Sequence, residues 1–431
     1  MKFFSTNRNA PLVDFRDATI SGQAPDKGLY FPSVIPALPV AFLDKIESLS
    51  KEEIAFEVIQ PYVADSIPRK DLMDIVAQTI AFDFPLKQVN ENIFSLELFH
   101  GPTLAFKDVG AGFMSRCLGY FAKTIDKEIT VLVATSGDTG GAVAAGFTGV
   151  EGVRVIILYP SGKVSNVQEL QLTTWGGNIH AYEVDGNFDD CQSMVKQAFA
   201  DNELQSKMFL TSANSINVAR WLPQQFYYFF AWKQWADKKQ PPVISVPSGN
   251  FGNICSGLLA MKSGLPFKHF IAACNINKVI PEFMQTRNYQ PQKALATLSN
   301  AMDVGDPSNF VRILEIFDQQ FEGIQKAMSS YSISDAETIN TIKKIQKEYA
   351  YMLDPHGAVG FAALEKYLSI HSGEKGIFLE TAHPVKFDNT MEKILGYPLP
   401  LPAQVQSFYK KEKSSIKIEA DYNALKHELL K

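Results

Sequence analysis

The sequence predicts an α/β protein in which helices cover a mostly parallel β-sheet on both faces. From about residue 107 onward, short apolar runs alternate with longer segments in which apolar residues recur at helical spacing. Such alternation is typical of β-α-β units, and strands buried on both faces are apolar along their whole length. The predicted strands are residues 129–134, 153–159, 243–246, 270–274 and 377–379.

The predicted helices lie between these strands. Residues 107–123 and 188–199 each place apolar side chains three or four positions apart, and a third helix begins near Asn253. Residues 225–232 are aromatic around the whole circumference of a helix, which predicts burial in the core rather than at a contact between subunits. Residues 1–95 differ from the rest, because a proline-rich stretch leads into amphipathic helical patterns. They predict an N-terminal helical module.

The composition is that of an ordinary globular protein with two or three domains. The chain has 431 residues, of which 46% are hydrophobic and 20% are charged. Its 41 basic and 46 acidic residues give a formal net charge of −5, which argues against a protein that binds nucleic acid or an anionic membrane. No run of about eighteen apolar residues occurs, so we expect no membrane-spanning helix.

The cysteines and the first residues indicate a cytoplasmic protein. Cys117, Cys191, Cys255 and Cys274 lie far apart and form no CxxC pair, and the seven histidines are scattered. This distribution predicts neither a metal site nor a disulfide framework. The first residues lack the long apolar segment of a secretory signal, and we therefore expect reduced thiols in the cytoplasm.

Lys107 is the main candidate for a catalytic residue. It lies among small and apolar residues at the start of the predicted helix of residues 107–123. Burial disfavours the charged form of a lysine, and the neutral amine is the form that makes a Schiff base with an aldehyde. The alternative is a loop lysine that extends its ammonium group into solvent from the start of a helix.

A glycine-rich turn follows the predicted strand of residues 243–246. It reads Ser-Gly-Asn-Phe-Gly-Asn at residues 248–253, and converging amides at the start of a helix can bind a phosphate group. The alternative is a tight turn without a ligand. The spacing fits neither GxGxxG nor GxxxxGK[ST], so neither NAD nor ATP is indicated.

Two further strand ends carry polar residues. Residues 134–142 offer two hydroxyls, several amides and the carboxylate of Asp138, which suit a carboxylate or phosphate ligand. Alternatively, Ser136 or Asp138 caps the helix that follows. Thr381 lies in the segment Glu-Thr-Ala-His-Pro of residues 380–384, where its hydroxyl either contributes to a site or satisfies nearby backbone groups.

The order of these features resembles that of the fold-type II pyridoxal-phosphate enzymes, and most closely that of the threonine synthase family. Along the chain, the lysine is followed by SGDTG, SGNFG and ETAHP. Segments outside the shared cofactor core are similar to the bacterial and fungal branch of threonine synthases. They are residues 5–9, 15–18, 22–32, 98–107, 214–220 and 354–358. The resemblance covers the chain up to about residue 400.

The resemblance implies a domain organisation. It implies two open, mostly parallel sheets covered by helices, with residues 1–95 as an N-terminal module packed with the C-terminal lobe. Residues 96–235 would form the lobe with the lysine and the SGDTG turn. Residues 236–400 would form the lobe with the phosphate-binding turn, and residues 401–431 a C-terminal extension.

The resemblance also implies pyridoxal 5'-phosphate as the cofactor. Lys107 would form the Schiff base with it, Thr381 would face the pyridine nitrogen, and Asp138 would lie near the ring hydroxyl, where many relatives have asparagine. The phosphate-binding turn would be Ser248, Gly249, Asn250, Phe251, Gly252 and Asn253. The substrate-binding residues would be Ser136, Gly137, Thr139, Lys163 and Arg220.

The implied reaction converts O-phospho-L-homoserine and water to L-threonine and phosphate, by γ-elimination followed by β-addition of water. The leaving phosphate is a dianion and requires cationic side chains, for which Lys163 and Arg220 rank ahead of Arg8 and Arg116. One alternative is a serine/threonine dehydratase, which needs no dianion site. The other is a non-catalytic protein that keeps the fold. The expected partner is the small-molecule substrate, without nucleic acid or membrane, and the chain is expected to be a monomer or homodimer.

Overall fold

Thirteen strands form three sheets within residues 1–125 and 127–431, which are the residues that the computed structural model describes. In chain order the strands are β1 (Phe3–Ser5), β2 (Tyr30–Pro32), β3 (Leu86–Gln88), β4 (Ile93–Glu97), β5 (Ile129–Ala134), β6 (Val153–Pro160), β7 (Ile179–Asp185), β8 (Phe209–Thr211), β9 (Val243–Pro247), β10 (His269–Cys274), β11 (Met328–Ser332), β12 (Gly376–Glu380) and β13 (Ile416–Glu419).

Two of the sheets are large, and both are mostly parallel. Sheet A has the strand order β11-β10-β9-β12-β4-β3, and its neighbouring strands are parallel except for the antiparallel pair β3–β4 at one edge. Sheet B has the order β13-β7-β6-β5-β8 and is parallel throughout. The antiparallel pair β1–β2 forms the third sheet. The predicted fold class is therefore confirmed.

Twenty α-helices connect and cover these strands within the described residues. They are α1 (Phe15–Ser21), α2 (Val40–Asp44), α3 (Lys51–Val63), α4 (Arg69–Thr79), α5 (Lys107–Ala122), α6 (Asp138–Phe147), α7 (Asn166–Thr173), α8 (Phe188–Ala200), α9 (Asn202–Lys207), α10 (Val218–Trp221), α11 (Gln225–Gln234), α12 (Gly252–Lys262), α13 (Val279–Thr286), α14 (Phe310–Ile316), α15 (Phe321–Ala327), α16 (Asp335–Tyr349), α17 (Pro355–Ile370), α18 (Asp388–Leu395), α19 (Ala403–Phe408) and α20 (Tyr422–Leu429). Helices α3, α7, α8 and α16 begin with a capping box, in which the N-cap side chain and the third helical residue exchange hydrogen bonds with backbone amides.

The strands and helices predicted from residue 107 onward are confirmed to within a few residues. Strand β5 has the predicted bounds, and α5 begins at Lys107 itself. Helix α11 is buried around its circumference from Gln225 to Trp232, and Tyr228 packs against Phe267 and Phe270 of the same chain. This helix therefore lies in the core, as its aromatic side chains predicted.

Strand β13 was not predicted. It lies within the predicted C-terminal extension, and it adds an edge strand to sheet B beside β7. Three of its four residues are exposed, so it lacks the apolar run by which the buried strands were recognised. Lys417 lies on this edge strand, and a charged side chain there disfavours pairing of the strand with another chain.

The predicted limit between residues 95 and 96 falls inside β4, which belongs to sheet A together with β9 and β12. The domain limits stay a prediction. Within the part of the chain that the structure describes, no helix combines the length and the apolar character needed to cross a lipid bilayer.

Candidate active site

Lys107 is the first residue of α5, and the loop before it is joined to the end of β12. The amide of Phe106 donates a hydrogen bond to the carbonyl of Thr381 at 2.8 Å, and Ala105 forms a β-bridge with Ala382. The hydroxyl of Tyr227, on α11, donates to the carbonyl of Phe106. The lysine predicted to bind the cofactor and the threonine predicted to face its ring nitrogen are therefore held by one stretch of paired backbone.

Asp138 is the first residue of α6 and faces Lys107. Its Oδ2 lies 4.0 Å from Lys107 Nζ, and its Oδ1 accepts a hydrogen bond from Gln168 Nε2 at 3.0 Å. The suggestion that Ser136 or Asp138 caps the helix is wrong, because the N-cap is Gly137 and neither of those two side chains accepts a hydrogen bond from the first helix amides. Gly137 has φ of +135°, and a Cβ on it would lie 2.5 Å from the Gln168 side chain, so the turn requires glycine.

Ser136 and Thr139 flank Asp138 and are both partly exposed. The turn that carries them is fixed by Thr135, whose Oγ1 accepts hydrogen bonds from the amides of Gly137 and Gly140 at 3.0 and 2.9 Å. The hydroxyls of Ser136 and Thr139 are thus presented on a hydrogen-bonded turn beside the largely buried Lys107.

Lys386 also belongs to this cluster, and the sequence analysis missed it. It lies in the 3-10 turn Pro384–Phe387, its side chain is fully buried, and its Nζ lies 3.1 Å from Asp138 Oδ1. The available signal was a single charge in the apolar segment Pro-Val-Lys-Phe, directly after the Glu-Thr-Ala-His-Pro motif. A lysine that is fully buried requires an anionic or carbonyl partner, which a sequence cannot identify.

The charges in the cluster set the protonation of Lys107 and Asp138. Burial lowers the pKa of Lys107, and although Asp138 acts in the opposite direction, the charges of Lys386 and Arg220 lower it further. Burial acts to raise the pKa of Asp138, but the attraction of Lys386 and then of Lys107 outweighs it, and that pKa lies well below its usual value. The site therefore combines an ionised carboxylate with an amine biased towards its neutral form.

The glycine-rich turn between β9 and α12 has the geometry of a phosphate cradle. Phe251 is the N-cap of α12 and has a left-handed φ of 62°. A Cβ on Gly249 would lie 2.7 Å from both the carbonyl oxygen of Ala301 and the Cα of Met302, so no larger residue fits there. Among the described residues, no acceptor is found for the amides of Gly249, Asn250 and Phe251. Unpaired amides at a helix start fit the phosphate group of pyridoxal phosphate.

The polar side chains of the turn form hydrogen bonds within the protein that stabilise the turn and leave few of their groups free for a ligand. The hydroxyl of Ser248 donates to the carbonyl of Val246 and its amide to that of Ala273, which leaves Ser248 no free donor. Asn253 Nδ2 donates to the carbonyl of Pro247 at 2.7 Å. Asn250 is likewise occupied, since its Nδ2 donates to Ser215 Oγ and its Oδ1 accepts from the amide of Ser308. Backbone amides are therefore the groups of this turn that a phosphate can use.

His356 connects the glycine turn with the lysine cluster. Its Nε2 accepts a hydrogen bond from the amide of Ala301, whose carbonyl faces Gly249, and its ring lies close enough to Asp138 to interact with that carboxylate. Strands β4, β9 and β12 are parallel neighbours, so their carboxyl ends meet at one edge of sheet A, where ligands bind in open α/β sheets. The structure thus brings Lys107, Asp138, Thr381 and the glycine turn together.

The four cationic candidates lie in different surroundings. Arg220 is buried beside α5, with Nη1 bonded to the carbonyl of Ala213 at 2.8 Å and Nε without a partner among the described residues. Burial lowers the pKa of Arg220 to about 10, which leaves it charged at neutral pH. Lys163 is exposed on the loop between β6 and α7. Arg8 pairs with Glu315, and Arg116 bonds to Gln78 and Gly112. Of the four, Arg220 is the buried cation whose charge acts on Lys107.

A buried carboxyl group, Glu380, supports the strand end that carries Thr381. Glu380 is the register partner of Glu97 in the next strand, and its Oε1 accepts a hydrogen bond from the amide of Asp354 at 2.7 Å. Its Oε2 has no partner among the described residues. Burial, and then the charge of Asp354, raise the pKa of Glu380 well above its usual value. The folded protein therefore favours the protonated, neutral form of Glu380.

We expect Glu380→Gln to stabilise the protein increasingly as pH rises. The wild-type carboxyl is protonated when folded and ionised when unfolded, so folding binds a proton and the free energy of unfolding falls as pH rises above about 4.3. The glutamine variant avoids this loss, so the free energies of unfolding of the wild type and Glu380→Gln should diverge by up to about 1.4 kcal/mol per pH unit. Urea unfolding between pH 5 and pH 8 measures this. The exposed Glu392→Gln should follow the wild type, and parallel curves for wild type and Glu380→Gln would refute the assignment.

Three family models together span the chain. A pyridoxal-phosphate-dependent enzyme model matches residues 77–379, a threonine synthase N-terminal model matches residues 2–80, and a threonine synthase C-terminal model matches residues 357–428. The chain belongs to the threonine synthase family. It is accordingly a pyridoxal-phosphate-dependent lyase, and the cofactor fits the unpaired amides of the glycine turn and the buried amine of Lys107.

Individual threonine synthases are similar to this chain over almost the whole length of both sequences. Threonine synthase of Haemophilus influenzae is 42% identical over 432 residues, covering 100% of both chains, and that of Escherichia coli is 42% identical over 99% of this chain and 98% of its own. The crystal structure of the Escherichia coli enzyme covers 100% of this chain and 99% of its own with a TM-score of 0.92. Threonine synthase of Brucella melitensis with bound PLP is 33% identical and covers 100% of this chain and 98% of its own, with a TM-score of 0.93.

Proposed function

We propose that this enzyme converts O-phospho-L-homoserine and water to L-threonine and inorganic phosphate. The observation that carries the proposal is the largely buried amine of Lys107 beside the ionised Asp138, in a chain whose two terminal segments match threonine synthase models. The reaction moves protons at adjacent carbons of the substrate, and a neutral amine in a buried site is suited to accept and return them. The bound cofactor supplies the electron sink for this chemistry.

The proposed roles of the remaining residues follow from the groups that they offer. The amides of the turn from Gly249 to Asn253 hold the cofactor phosphate at the start of α12. Thr381 meets the pyridine nitrogen with a neutral hydroxyl, which does not stabilise a protonated ring as a carboxylate would. The hydroxyls of Ser136 and Thr139, with the amide of Gly137, bind the substrate carboxylate.

Arg220 is the better supported of the two candidates for binding the substrate phosphate. It is buried, it remains charged, and its Nε is not used by the described residues, whereas Lys163 is exposed. A dianion held in a buried site gains most from a guanidinium, which can donate two parallel hydrogen bonds. Lys163 would reach the substrate only from the rim of the site.

Two finer points stay proposals alongside the substrate. A cytoplasmic location is supported by the four cysteines, which are all buried free thiols. The predicted assembly as a monomer or homodimer also stays a proposal.

The test is the product formed when purified, cofactor-loaded protein is mixed with O-phospho-L-homoserine. We expect threonine to appear in a one-to-one ratio with phosphate, measured by amino-acid analysis and a phosphate assay. Absence of threonine while the cofactor remains bound would contradict the proposal. Formation of 2-oxobutyrate from threonine, or pyruvate from serine, without threonine synthesis would instead identify a dehydratase.

A further inference from the structure

Lys386 has three close polar partners inside the active site. Its ammonium group donates hydrogen bonds to the carbonyl of Thr103 at 2.7 Å and to Gln171 Oε1 at 2.6 Å, and it forms an ion pair with Asp138, with Nζ 3.1 Å from Oδ1. Gln171 Nε2 in turn donates to the same carbonyl of Thr103 at 3.0 Å. A buried ammonium with two hydrogen bonds and an ion pair is held in one place.

The contact with Lys386 determines which carboxylate oxygen of Asp138 faces Lys107. Oδ1 of Asp138 is occupied by Lys386 and Gln168, so Oδ2 is the oxygen that faces Lys107. Asp138 and Lys386 together carry no net charge. Without Lys386, a lone buried carboxylate 4.0 Å from Lys107 Nζ would favour the protonated state of any nitrogen at that position.

The other charged and titratable groups around Lys107 come from several elements. The positive charge of Arg220, on α10, lowers the pKa of Lys107, and His356, on α17, lies near Asp138. Asp108, on the same helix as Lys107, bonds to the amide of Thr103 at 2.9 Å. Tyr227 donates to the carbonyl of Phe106 and contributes no charge, because burial raises its pKa well above its usual value. Of these groups, Lys386 is the cation bonded to Asp138.

We propose that Lys386 is a positioning residue for the reaction, which neutralises Asp138 and fixes its carboxylate so that Lys107 can act as a neutral amine. The inference rests on the proposed function only in taking Lys107 as the cofactor-binding amine. This role explains how an aspartate is compatible with a position near the cofactor ring, because the carboxylate of Asp138 and the ammonium group of Lys386 together carry no net charge.

The experiment is a pH titration of the absorbance of the bound cofactor, which reports protonation of the nitrogen at Lys107 without any substrate. In Lys386→Met the unpaired carboxylate should raise the midpoint by about one pH unit or more. Asp138→Asn leaves Lys386 as an unpaired cation and should lower the midpoint of the titration. Lys386→Arg, which keeps the charge, and the double variant Asp138→Asn with Lys386→Met, which removes both charges, should titrate close to the wild type.

The matched control is Lys393→Met on the exposed face of α18, which should leave the midpoint unchanged. A wild-type midpoint in Lys386→Met, or equal shifts in the single and double variants, would overturn the proposal. If Lys386→Met does not fold, the downward shift in Asp138→Asn and the wild-type midpoint in the double variant still decide. Because no substrate is used, a negative result here is separate from failure of threonine formation.

Discussion

Lys107→Ala is expected to lower turnover by at least about 10³-fold and to remove the absorbance of the Schiff base. A positioned general acid or base alone contributes about 10² to 10⁴-fold, and this side chain is also the proposed attachment point of the cofactor. Its amine is buried and has a lowered pKa, so no exposed lysine can substitute for it. The measurements are the visible spectrum of the purified variant with cofactor and the rate of phosphate release from O-phospho-L-homoserine.

The matched control is Lys123→Ala, at the opposite end of α5, where the lysine is exposed. It should keep both the spectrum and the rate of the wild type. Full activity in Lys107→Ala, with Lys123→Ala behaving as wild type, would end the assignment of Lys107 as the catalytic lysine.

Gly249→Ala is expected to weaken cofactor binding about tenfold or more. The added methyl would lie 2.7 Å from the carbonyl oxygen of Ala301 and from the Cα of Met302, and both are backbone atoms that cannot rotate away. The turn must therefore shift, and its amides lose alignment with the phosphate. One hydrogen bond to a charged group contributes about 1.5 to 3 kcal/mol, and every 1.4 kcal/mol changes affinity about tenfold. Equilibrium titration of the cofactor-free protein with pyridoxal phosphate measures the effect.

The same substitution at Gly252 provides the comparison within one turn. A Cβ there meets no atom of the described chain closer than 3.4 Å, which is ordinary van der Waals contact. Gly252→Ala should therefore bind the cofactor more tightly than Gly249→Ala. Equal affinities for the two variants would show that crowding against residues 301 and 302 does not shape the cradle.

The sequence was sufficient to predict features that depend on local pattern. The buried strands of both sheets are largely apolar, and α5 and α12 begin beside the residues that were predicted to carry the chemistry. Lys107 was identified because an amine among apolar neighbours is unusual, and Asp138 because it follows a strand in a glycine-rich turn. These signals lie within about ten residues of the position that they predict.

Features that depend on tertiary contacts could not be predicted. Lys386 reaches Asp138 only because the turn after β12 folds back over α6 and α7, across 248 positions of sequence. The raised pKa of Glu380 results from burial and from the charges of Asp354 and Glu97 beside it, which depend on tertiary packing and strand register and not on composition. The short, exposed β13 is defined by its partner β7 rather than by its own residues.

We propose that Lys107, and not its buried neighbour Lys386, holds the cofactor. Both amines lie beside Asp138, but Lys386 makes two hydrogen bonds and an ion pair with Asp138, whereas Lys107 has a lowered pKa. The direct measurement is reduction of the cofactor-loaded protein with borohydride, followed by proteolysis and mass spectrometry to locate the modified lysine. We expect to recover the cofactor on the peptide that contains Lys107. Its recovery on Lys386, or on any other lysine, would show that Lys107 does not hold the cofactor.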